Sequence, residues 1–526
     1  MKKGYLLLML HAHLPFVRHP EHEDFLEERW LFEAISETYI PLLEMYDRFL
    51  KEGVPFRITM SVTPTLATML GDELLQERYV AHLRRLIELG EKEVERSKGD
   101  PHLNSLAVMY RDHFARCRQV FEDIYGRNLL RAFRKFLESG NLEIITCGAT
   151  HGFFPMMLTV EHSIRAQVAT ACEHYEQVFG RRPQGIWLPE CGYYPGYDKI
   201  LNENGIKYFF VDTHGILNAH PRPNAGVFEP IRTPHGVYAF GRDMESSKQV
   251  WSAHEGYPGD YDYREYYRDI GFDLDEEYIR PYIHPDGIRI NTGIKYHRIT
   301  GPGGYKEYYD PHRAREKAAM HAGNFLFNRE KQVEHLFYAL NRKPVVVAPY
   351  DAELFGHWWY EGPQFLDFLM RKTVFDSETV ELTTAPRFLN ENSGFQSAEP
   401  SFSSWGYKGY AEYWLNGSND WVYRHLHAAS ERMQQLARQF EHPSEWERRA
   451  LNQAARELML AESSDWAFIM KTGTMVEYAI KRTTEHLMRF FELAKQLQNH
   501  NLDTKWVQEL ESRDNIFPAI NYRHYA

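Results

Sequence analysis

Residues 343–363, KPVVVAPYDAELFGHWWYEGP, join an apolar run to a dense group of acidic and aromatic side chains. The apolar run is continuous and does not alternate, which is typical of a strand covered on both faces, as in a parallel sheet. Asp351 and Glu353 follow where this strand is predicted to end, and three aromatic residues follow at 358–360. The pattern is typical of a catalytic strand end, but an acid that caps the next helix, a metal ligand or a buried aromatic cluster has the same signature.

Similar apolar runs recur along the first 400 residues, with amphipathic patterns between them. The predicted strands are residues 5–10, 56–62, 142–147, 185–188, 208–212, 237–241, 344–350 and 380–384. The predicted helices between them are residues 30–52, 73–98, 106–139, 161–178 and 311–341. Strands that alternate with helices predict an α/β sheet or barrel.

The pattern changes after about residue 400. The Gly- and Asn-rich segment 390–406 is predicted to be a linker, and three long amphipathic patterns follow it without a strand between them. A chain of 526 residues is also too long for one ordinary domain. The sequence therefore predicts a catalytic domain at 1–395 and an all-helical C-terminal domain at 400–526.

Composition and charge exclude several classes of function. The net charge is −12 and no long basic run occurs, which argues against nucleic-acid and anionic-membrane partners. No apolar stretch reaches the ~18 residues of a membrane span. The N-terminal run MKKGYLLLMLHAHLP is predicted to be a buried strand and not a signal peptide, because its apolar part is short and histidines follow it. The four cysteines form no CxxC pair, so we expect a cytoplasmic protein without disulfides.

Polar side chains cluster where the predicted strands end. They are His11 and His13, His151, Glu190, the segment GRDMES at 241–246, and Asp351. In an α/β barrel the active site is built from the C-terminal ends of the strands, so these residues are expected to meet there.

Each of these residues also has a structural interpretation. His11 and His13 face the same side of a strand and could ligate a metal or be structural histidines, and Glu190 could cap a helix. Two carboxylates from distant parts of the chain, with aromatic residues beside them, are what a retaining glycosidase needs as nucleophile and proton donor. The residues alone therefore predict a carbohydrate-active barrel.

Five short regions, in order, resemble the characteristic regions of glycoside hydrolase family 57. They are HAHLP (11–15), LEIITCGATHG (142–152), WLPECGY (187–193), APYDAELFGHWW (348–359) and SSDWAFIMKTG (463–473). The resemblance implies that Glu190 is the nucleophile and Asp351 the acid/base. It also implies an incomplete (β/α)7 barrel with a small helical insertion, which we expect around residues 193–236, and an all-α C-terminal domain that contributes to the cleft.

The resemblance is closest to the branching-enzyme and amylase-like subgroup of that family. It implies substrate contacts at His11, His13, His151, Arg242, Trp251, Gly259, Trp405, Trp414 and Asp465, and at Thr474, which replaces a glutamine of the family. Branching members often carry a tyrosine on a loop over the site, whereas the corresponding stretch 215–236 has none and Phe228 is its nearest aromatic residue. We therefore expect water to reach the intermediate more easily.

The predicted function is a retaining 1,4-α-glucan branching enzyme that forms α-1,6 branches and has a hydrolytic side activity. Its expected substrate is an α-1,4-glucan such as amylose, glycogen or starch, and no metal or organic cofactor is expected. The alternatives are an α-amylase of the same family, a zinc-dependent barrel like the polysaccharide deacetylases with His11, His13 and Asp351 as ligands, and a non-catalytic glucan-binding protein. The sequence does not predict an oligomeric state.

Overall fold

The computed structural model describes residues 2–251 and 255–526, so residues 252–254 of the segment 246–259 lie outside the described residues. The strands are β1 (Gly4–Ala12), β2 (Ile58–Val62), β3 (Leu142–Ile145), β4 (Gly185–Ile186), β5 (Tyr208–Val211), β6 (Ile231–Arg232), β7 (Tyr238–Gly241), β8 (Val345–Asp351) and β9 (Val380–Leu382).

The helices of the first 400 residues are α1 (Glu28–Ala34), α2 (Ile40–Glu52), α3 (Pro64–Gly71), α4 (Glu73–Arg96), α5 (Pro101–Gln119), α6 (Leu129–Glu138), α7 (Glu161–Phe179), α8 (Tyr197–Glu203), α9 (Thr213–Leu217), α10 (Met244–Trp251), α11 (Ile270–Asp273), α12 (Glu276–Ile279), α13 (Pro311–Leu340), α14 (Gly362–Phe375) and α15 (Ala385–Glu391). The C-terminal helices are α16 (Trp421–Gln439), α17 (Glu445–Ala461), α18 (Ser464–Thr472), α19 (Val476–Gln498) and α20 (Thr504–Arg513).

Seven of the eight parallel strands of the described chain form an incomplete barrel, and the eighth, β9, pairs with the start of β1 outside this ring. β1 lies between β2 and β8, and β3 continues the sheet beside β2. A parallel bridge between Thr146 and Ile186 leads on to β4, which is followed by β5 and β7. Just beyond β7, the backbone N–H of Asp243 donates to the carbonyl of Val347 in β8 at 2.9 Å. The predicted (β/α)7 barrel is therefore confirmed.

The barrel strands are apolar because both of their faces are covered. All nine residues of β1 are buried, and so are six of the seven residues of β8. In the register of the sheet, His11 near the end of β1 is opposite Asp351 at the end of β8 and Ser61 in β2. The C-terminal ends of the strands thus place the polar residues of distant motifs side by side.

Two expectations about the connections are wrong. The continuous helix expected at 106–139 is interrupted by a π-helical turn at Val120–Ile124 and by Arg127, whose φ of 63° is left-handed. The segment 193–236 is not an insertion, because it contains β5, whose buried residues pair with β4 on one side and β7 on the other. The small helical insertion lies instead between α10 and α13, where α11 and α12 are found.

Phe228 does not lie over the active-site end of the barrel. Its carbonyl accepts a hydrogen bond from the backbone N–H of Val345, the first residue of β8, at 2.9 Å. At ~3.3 Å per residue, that position is about 20 Å along the strand from Asp351. The Phe228 side chain packs against the apolar core, so it does not take the place of a loop tyrosine over the site.

The C-terminal helices pack against the barrel. In the described chain, residues 400–526 contain helices and no strand, as predicted, and α17 and α19 pack along each other. The N-terminus of α18 is tied to the rim of the barrel, because the backbone N–H of Ser464 donates to the carbonyl of His151 at 3.0 Å. None of the described helices combines the length and apolarity that crossing a membrane requires. The division into domains at about residue 400 remains our proposal.

Candidate active site

One cavity of about 790 Å³ opens where the barrel strands end. The residues in its wall that the sequence predicted are His11, His13, His151, Glu190, Arg242, Trp251, Asp351, Trp405, Trp414 and Asp465. They come from five strand ends, from the end of α10, from the segment after residue 400 and from α18. The barrel and the helical segment therefore build the cavity together.

Glu190 projects into this cavity from a sharp turn after β4. Its backbone is left-handed, with φ 62° and ψ 25°, a conformation that costs free energy for a residue with a side chain. Its carboxylate accepts hydrogen bonds from Trp405 Nε1 at 2.7 Å and from Ser464 Oγ at 2.9 Å. Burial raises the pKa of Glu190 to about 7, and the Trp405 hydrogen bond opposes this increase. Glu190 is thus held by two donors that favour its ionised form.

Asp351 ends β8 and lines the same cavity. Burial raises its pKa well above the ordinary range, and the negative charges of Glu353 and Glu190 add to this effect. Arg242 is the positive charge that opposes them. The environment of Asp351 therefore favours the protonated acid, whereas the bonds to Glu190 favour the carboxylate, which is how a general acid and a nucleophile differ.

Glu353 is a third carboxyl group in the cavity, whose role the sequence left open. It accepts hydrogen bonds from the Tyr39 hydroxyl at 2.5 Å and from the His13 backbone N–H at 3.3 Å. Burial raises its pKa to about 6. Glu353 therefore acts on Asp351 through its charge, while its own oxygen is bound to Tyr39 and to β1.

Three histidines form a stacked layer beside the carboxyl groups. The rings of His13 and His151 stack with centroids 3.8 Å apart, and His11 Nε2 lies 3.0 Å from His151 Nε2. Burial lowers the pKa values of His11 and His151 well below the ordinary range, so both are neutral. Burial also opposes charge on His13, but the carboxylate of Asp465, 3.0 Å away, leads the interactions that raise its pKa overall.

Asp465 completes an ion pair with His13. Although burial opposes its ionisation, the positive charge of His13 lowers the pKa of Asp465 to about 2. Ser463 also donates a hydrogen bond to Asp465 at 2.5 Å. The N-terminus of α18 thus supplies a negative charge that favours the protonated form of His13.

The cavity residues best placed to hold a metal ion are His13, His151 and Asp465, whose ligand atoms lie within 4.8 Å of one another. This is not the set of the zinc alternative, which used His11, His13 and Asp351. His13 Nε2 is already bonded to Asp465, and His151 Nδ1 is bonded to Ser464 Oγ at 2.7 Å. Because these nitrogens already take part in hydrogen bonds, we assign the three side chains to the hydrogen-bond network of the cavity and assign no metal to them.

The aromatic residues of the wall differ greatly in exposure. Trp405 is 8 % exposed and packs edge-on against Trp187. Trp414 is only 1 % exposed and stacks on Phe153 at 4.7 Å, so most of its surface is covered by protein. Trp358, in contrast, is 53 % exposed and stacks on Tyr266 at 4.4 Å. Trp358 therefore offers a flat face to a ligand that Trp414 does not.

The structure leaves two of the predicted contact residues outside this cavity. Gly259 ends a short 3₁₀ turn and lines a separate shallow depression with Asp260 and Arg298. Thr474 is exposed just beyond the end of α18. Neither position is brought next to Glu190 or Asp351 in the described structure.

The sequence reasoning assigned no definite role to the other cavity residues. They are Leu14, Asp212, His214, Met244, Leu354, Gly406, Lys408, Gly409, Tyr413 and Phe468, in addition to Glu353 and Trp358. Asp212 follows β5 directly, so the rule that selected the other strand-end residues would have found it. It binds Arg242 at 3.1 Å, and Arg242 also donates to Ser247 Oγ at 2.7 Å. Arg242 is therefore fixed from two sides in the wall.

Comparisons with protein families match two parts of the chain. The model described as glycosyl hydrolase family 57 matches residues 7–396, and the model described as 1,4-alpha-glucan branching enzyme, C-terminal, matches residues 425–525. A 1,4-alpha-glucan branching enzyme of Thermococcus kodakarensis is 36 % identical over 98 % of this chain and 78 % of its own length.

Comparisons with solved structures find relatives that cover nearly the whole chain. The alpha-amylase AmyC from Thermotoga maritima has 49 % sequence identity and a TM-score of 0.94, over 100 % of this chain and 99 % of its own. A GH57-type branching enzyme from Pyrococcus horikoshii has 34 % identity and a TM-score of 0.89, over 99 % and 97 % of the two chains. Because the family model spans most of the chain and agrees with these relatives, the chain belongs to glycoside hydrolase family 57.

Proposed function

We propose that this protein is a retaining 1,4-α-glucan branching enzyme that also releases some glucan by hydrolysis. The observation that carries the proposal is the pair Glu190 and Asp351 in one cavity, where hydrogen bonds from Trp405 and Ser464 support the carboxylate of the first and burial raises the pKa of the second well above its ordinary range. Two relatives that are named branching enzymes and align with nearly the whole of this chain support the choice of reaction.

In the first step, Glu190 attacks the anomeric carbon of an α-1,4 linkage and Asp351 protonates the departing 4-oxygen. The C–O bond of the glucan breaks as the ester bond to Glu190 forms. Trp405 and Ser464 hold the two oxygens of Glu190 and so orient it before the substrate arrives. The products are a glycosyl-enzyme ester and a free chain end.

The second step needs Asp351 as a base. Forming the ester removes the negative charge of Glu190, which is one of the charges that raise the pKa of Asp351. Asp351 can then accept the proton of a glucan 6-hydroxyl, whose oxygen displaces Glu190 and forms the α-1,6 branch. If water takes the place of the 6-hydroxyl, the same step is hydrolysis.

The histidine layer and the ion pairs beside it suit a neutral polyhydroxylated substrate. The His13–Asp465 ion pair and the Arg242–Asp212 pair both line the cavity. They offer donors and acceptors that are already fixed, so binding a sugar hydroxyl costs little reorganisation. We assign them to substrate binding, and Trp358 to stacking on a sugar face.

The test is to incubate the protein with amylose and to count both new α-1,6 linkages and new reducing ends. A branching enzyme makes α-1,6 linkages in excess of reducing ends, and Glu190→Gln loses both products together because both pass through the ester. New reducing ends without α-1,6 linkages would establish instead the second candidate, an α-amylase. The 49 % identity to the protein named as an alpha-amylase favours that alternative.

The cellular setting belongs to the same proposal. We propose an α-1,4-glucan such as glycogen, amylose or starch as the substrate and the cytoplasm as the location. The four cysteines are free and buried, which agrees with a reducing compartment.

A further inference from the structure

A strip of aromatic side chains leads out of the cavity on the side of the C-terminal helices. Phe468 and Tyr413 line the cavity, and their ring centroids are 5.2 Å apart. Tyr413 lies 6.5 Å from Tyr407 by the same measure. Phe468 is 38 % and Tyr407 62 % exposed, so the strip runs from the cavity wall to open surface. We call Phe468, Tyr413 and Tyr407 the rim strip.

The loop that carries Tyr407 is held rigidly in an unusual conformation. Lys408 and Ala411 have left-handed backbones, with φ of 60° and 71°, which residues with a Cβ rarely adopt. His214 Nε2 donates to the carbonyl of Gly409 at 2.7 Å, and the backbone N–H of Ala411 donates to Ser404 Oγ at 2.9 Å. These bonds maintain the conformation, so Tyr407 is presented on the surface before any ligand binds.

The chemistry of the strip suits a neutral sugar chain. Tyrosine and phenylalanine rings offer flat apolar faces, and the Tyr407 hydroxyl adds a hydrogen-bonding group. The ammonium of Lys408 lies 5.3 Å from the Tyr407 ring centroid and is a further donor for hydroxyl groups. A sugar ring has the matching combination of apolar C–H faces and hydroxyl edges.

The proposed substrate is a polymer, whereas the cavity has a volume of only about 790 Å³. Sugar units remote from the reacting bond must therefore cross the rim. We propose that the rim strip binds an α-1,4-glucan chain where it leaves the cavity and gives the enzyme a preference for long chains over short ones. This inference rests on the proposed function, because it assumes that the cavity receives an α-glucan.

The test measures binding separately from catalysis, in the inactive Glu190→Gln protein. Tyr407→Ala is compared with Tyr338→Ala, a matched exposed tyrosine on α13 that lies beside Lys3, at the opposite end of β1 from the cavity. Retardation in native gels that contain amylopectin gives the apparent Kd. Losing one stacked ring is expected to weaken amylopectin binding about three- to tenfold for Tyr407→Ala, with no change for Tyr338→Ala.

Maltotriose, a short α-1,4-linked sugar, provides the second measurement. Its affinity, measured by calorimetry, is expected to be the same in the Glu190→Gln protein and in that protein with Tyr407→Ala added. If Tyr407→Ala and Tyr338→Ala bind amylopectin equally well, the proposed role of the rim strip is wrong. It is also wrong if Tyr407→Ala weakens the binding of maltotriose as much as the binding of amylopectin. If the Glu190→Gln protein binds neither sugar and the wild-type protein leaves amylose unchanged, the proposed function is wrong.

Discussion

At the scale of single residues, the site depends on how differently two similar carboxyl groups are surrounded. Glu190 receives hydrogen bonds from an indole and a hydroxyl, whereas Asp351 lies in the field of two other carboxyl groups. Both are buried, so the difference in surroundings decides which group keeps its proton. The same pair of residue types can thus serve as nucleophile and acid.

The first prediction concerns the folding stability that is lost because the carboxylate of Glu190 is buried. Burial raises its pKa from 4.5 to about 7, so the folded protein binds this proton more tightly than the unfolded chain. Stability from this group is therefore present below pH 4.5 and is lost as the pH rises to 7. Glu190→Gln removes the buried charge and is expected to be inactive but more stable at pH 8, by up to about 3 kcal/mol.

Denaturant unfolding at pH 4.5 and pH 8 checks this expectation. The Gln variant and the wild type should differ much less at pH 4.5, where Glu190 is protonated in the folded protein and half protonated in the unfolded chain. A variant that is equally destabilised at both pH values would mean that Glu190 does not carry a costly buried charge.

The second prediction tests the hydrogen bond from Trp405 to Glu190. Trp405→Phe keeps an aromatic ring against Trp187 but removes the Nε1 donor, which lies 2.7 Å from the carboxylate. A hydrogen bond to a charged group is worth about 1.5–3 kcal/mol, so the pKa of Glu190 should rise by about one unit or more. The acidic limb of the kcat/KM profile should shift upward by the same amount.

Trp358→Phe is the matched control for this profile. Trp358 also lines the cavity, but its ring packs on Tyr266, and the side-chain donors to Glu190 in the described structure are Trp405 and Ser464. Its acidic limb is expected to stay in place. Equal shifts in the two variants would contradict a specific role of the Trp405 donor.

At the scale of elements, α18 acts as an extension of the barrel rim. Its N-terminus supplies Ser464 to Glu190 and Asp465 to His13, while its C-terminal end reaches the surface.

The third prediction compares the N-terminus of α18 with a residue just beyond its C-terminal end. Asp465→Asn removes the charged partner of His13 and is expected to lower kcat/KM about ten- to a hundredfold, whereas Thr474→Ala is expected to leave it unchanged. Steady-state kinetics on amylose decides, and a large loss in Thr474→Ala would show that this exposed residue contacts substrate after all.

The fourth prediction concerns the segment between β5 and β7. Phe228 lies at the N-terminal end of β8, remote from Asp351, and packs on the core. Phe228→Tyr is therefore expected to leave the ratio of α-1,6 linkages to reducing ends unchanged, even if the extra hydroxyl lowers the melting temperature. The two products are counted on amylose at a temperature where both proteins are folded. A changed ratio would mean that this segment reaches the cavity during the reaction.

At the scale of the whole molecule, buried polar contacts join the barrel to the C-terminal helices. Gln167 on α7 donates to Glu462 at 2.9 Å, Thr150 donates to the carbonyl of Met459, and Ser163 lies 2.5 Å from Ser430. Breaking such buried pairs would leave polar groups without partners, which costs about 1–3 kcal/mol each. The two parts of the chain are therefore expected to support each other's folding.

The fifth prediction follows from these contacts. Calorimetry is expected to show a single endotherm for the whole chain, and Gln167→Ala should lower the temperature of that one transition without splitting it. Two separate endotherms, one of which keeps its transition temperature in Gln167→Ala, would contradict a shared folding unit.

The sequence alone predicted the barrel strands, the helical end of the chain and ten of the 22 residues of the cavity wall. The apolar runs that became β1 and β8 are local signals, because a strand covered on both faces needs apolar residues throughout. The polar residues after those runs were placed at the cavity by the rule that parallel strands end on one side of a barrel. Neither inference needs the position of any distant residue.

Only the tertiary structure decided how those residues act. Trp405 and Ser464 are 215 and 274 residues from Glu190 along the chain, and their bonds to it are invisible in the sequence. The same holds for the exclusion of Gly259 and Thr474 from the cavity and for the location of Phe228 at the far end of β8. The physical reason is that burial, hydrogen bonding and charge act through space, so the proton affinity of a carboxyl group depends on its neighbours in the fold and not on its neighbours in the chain.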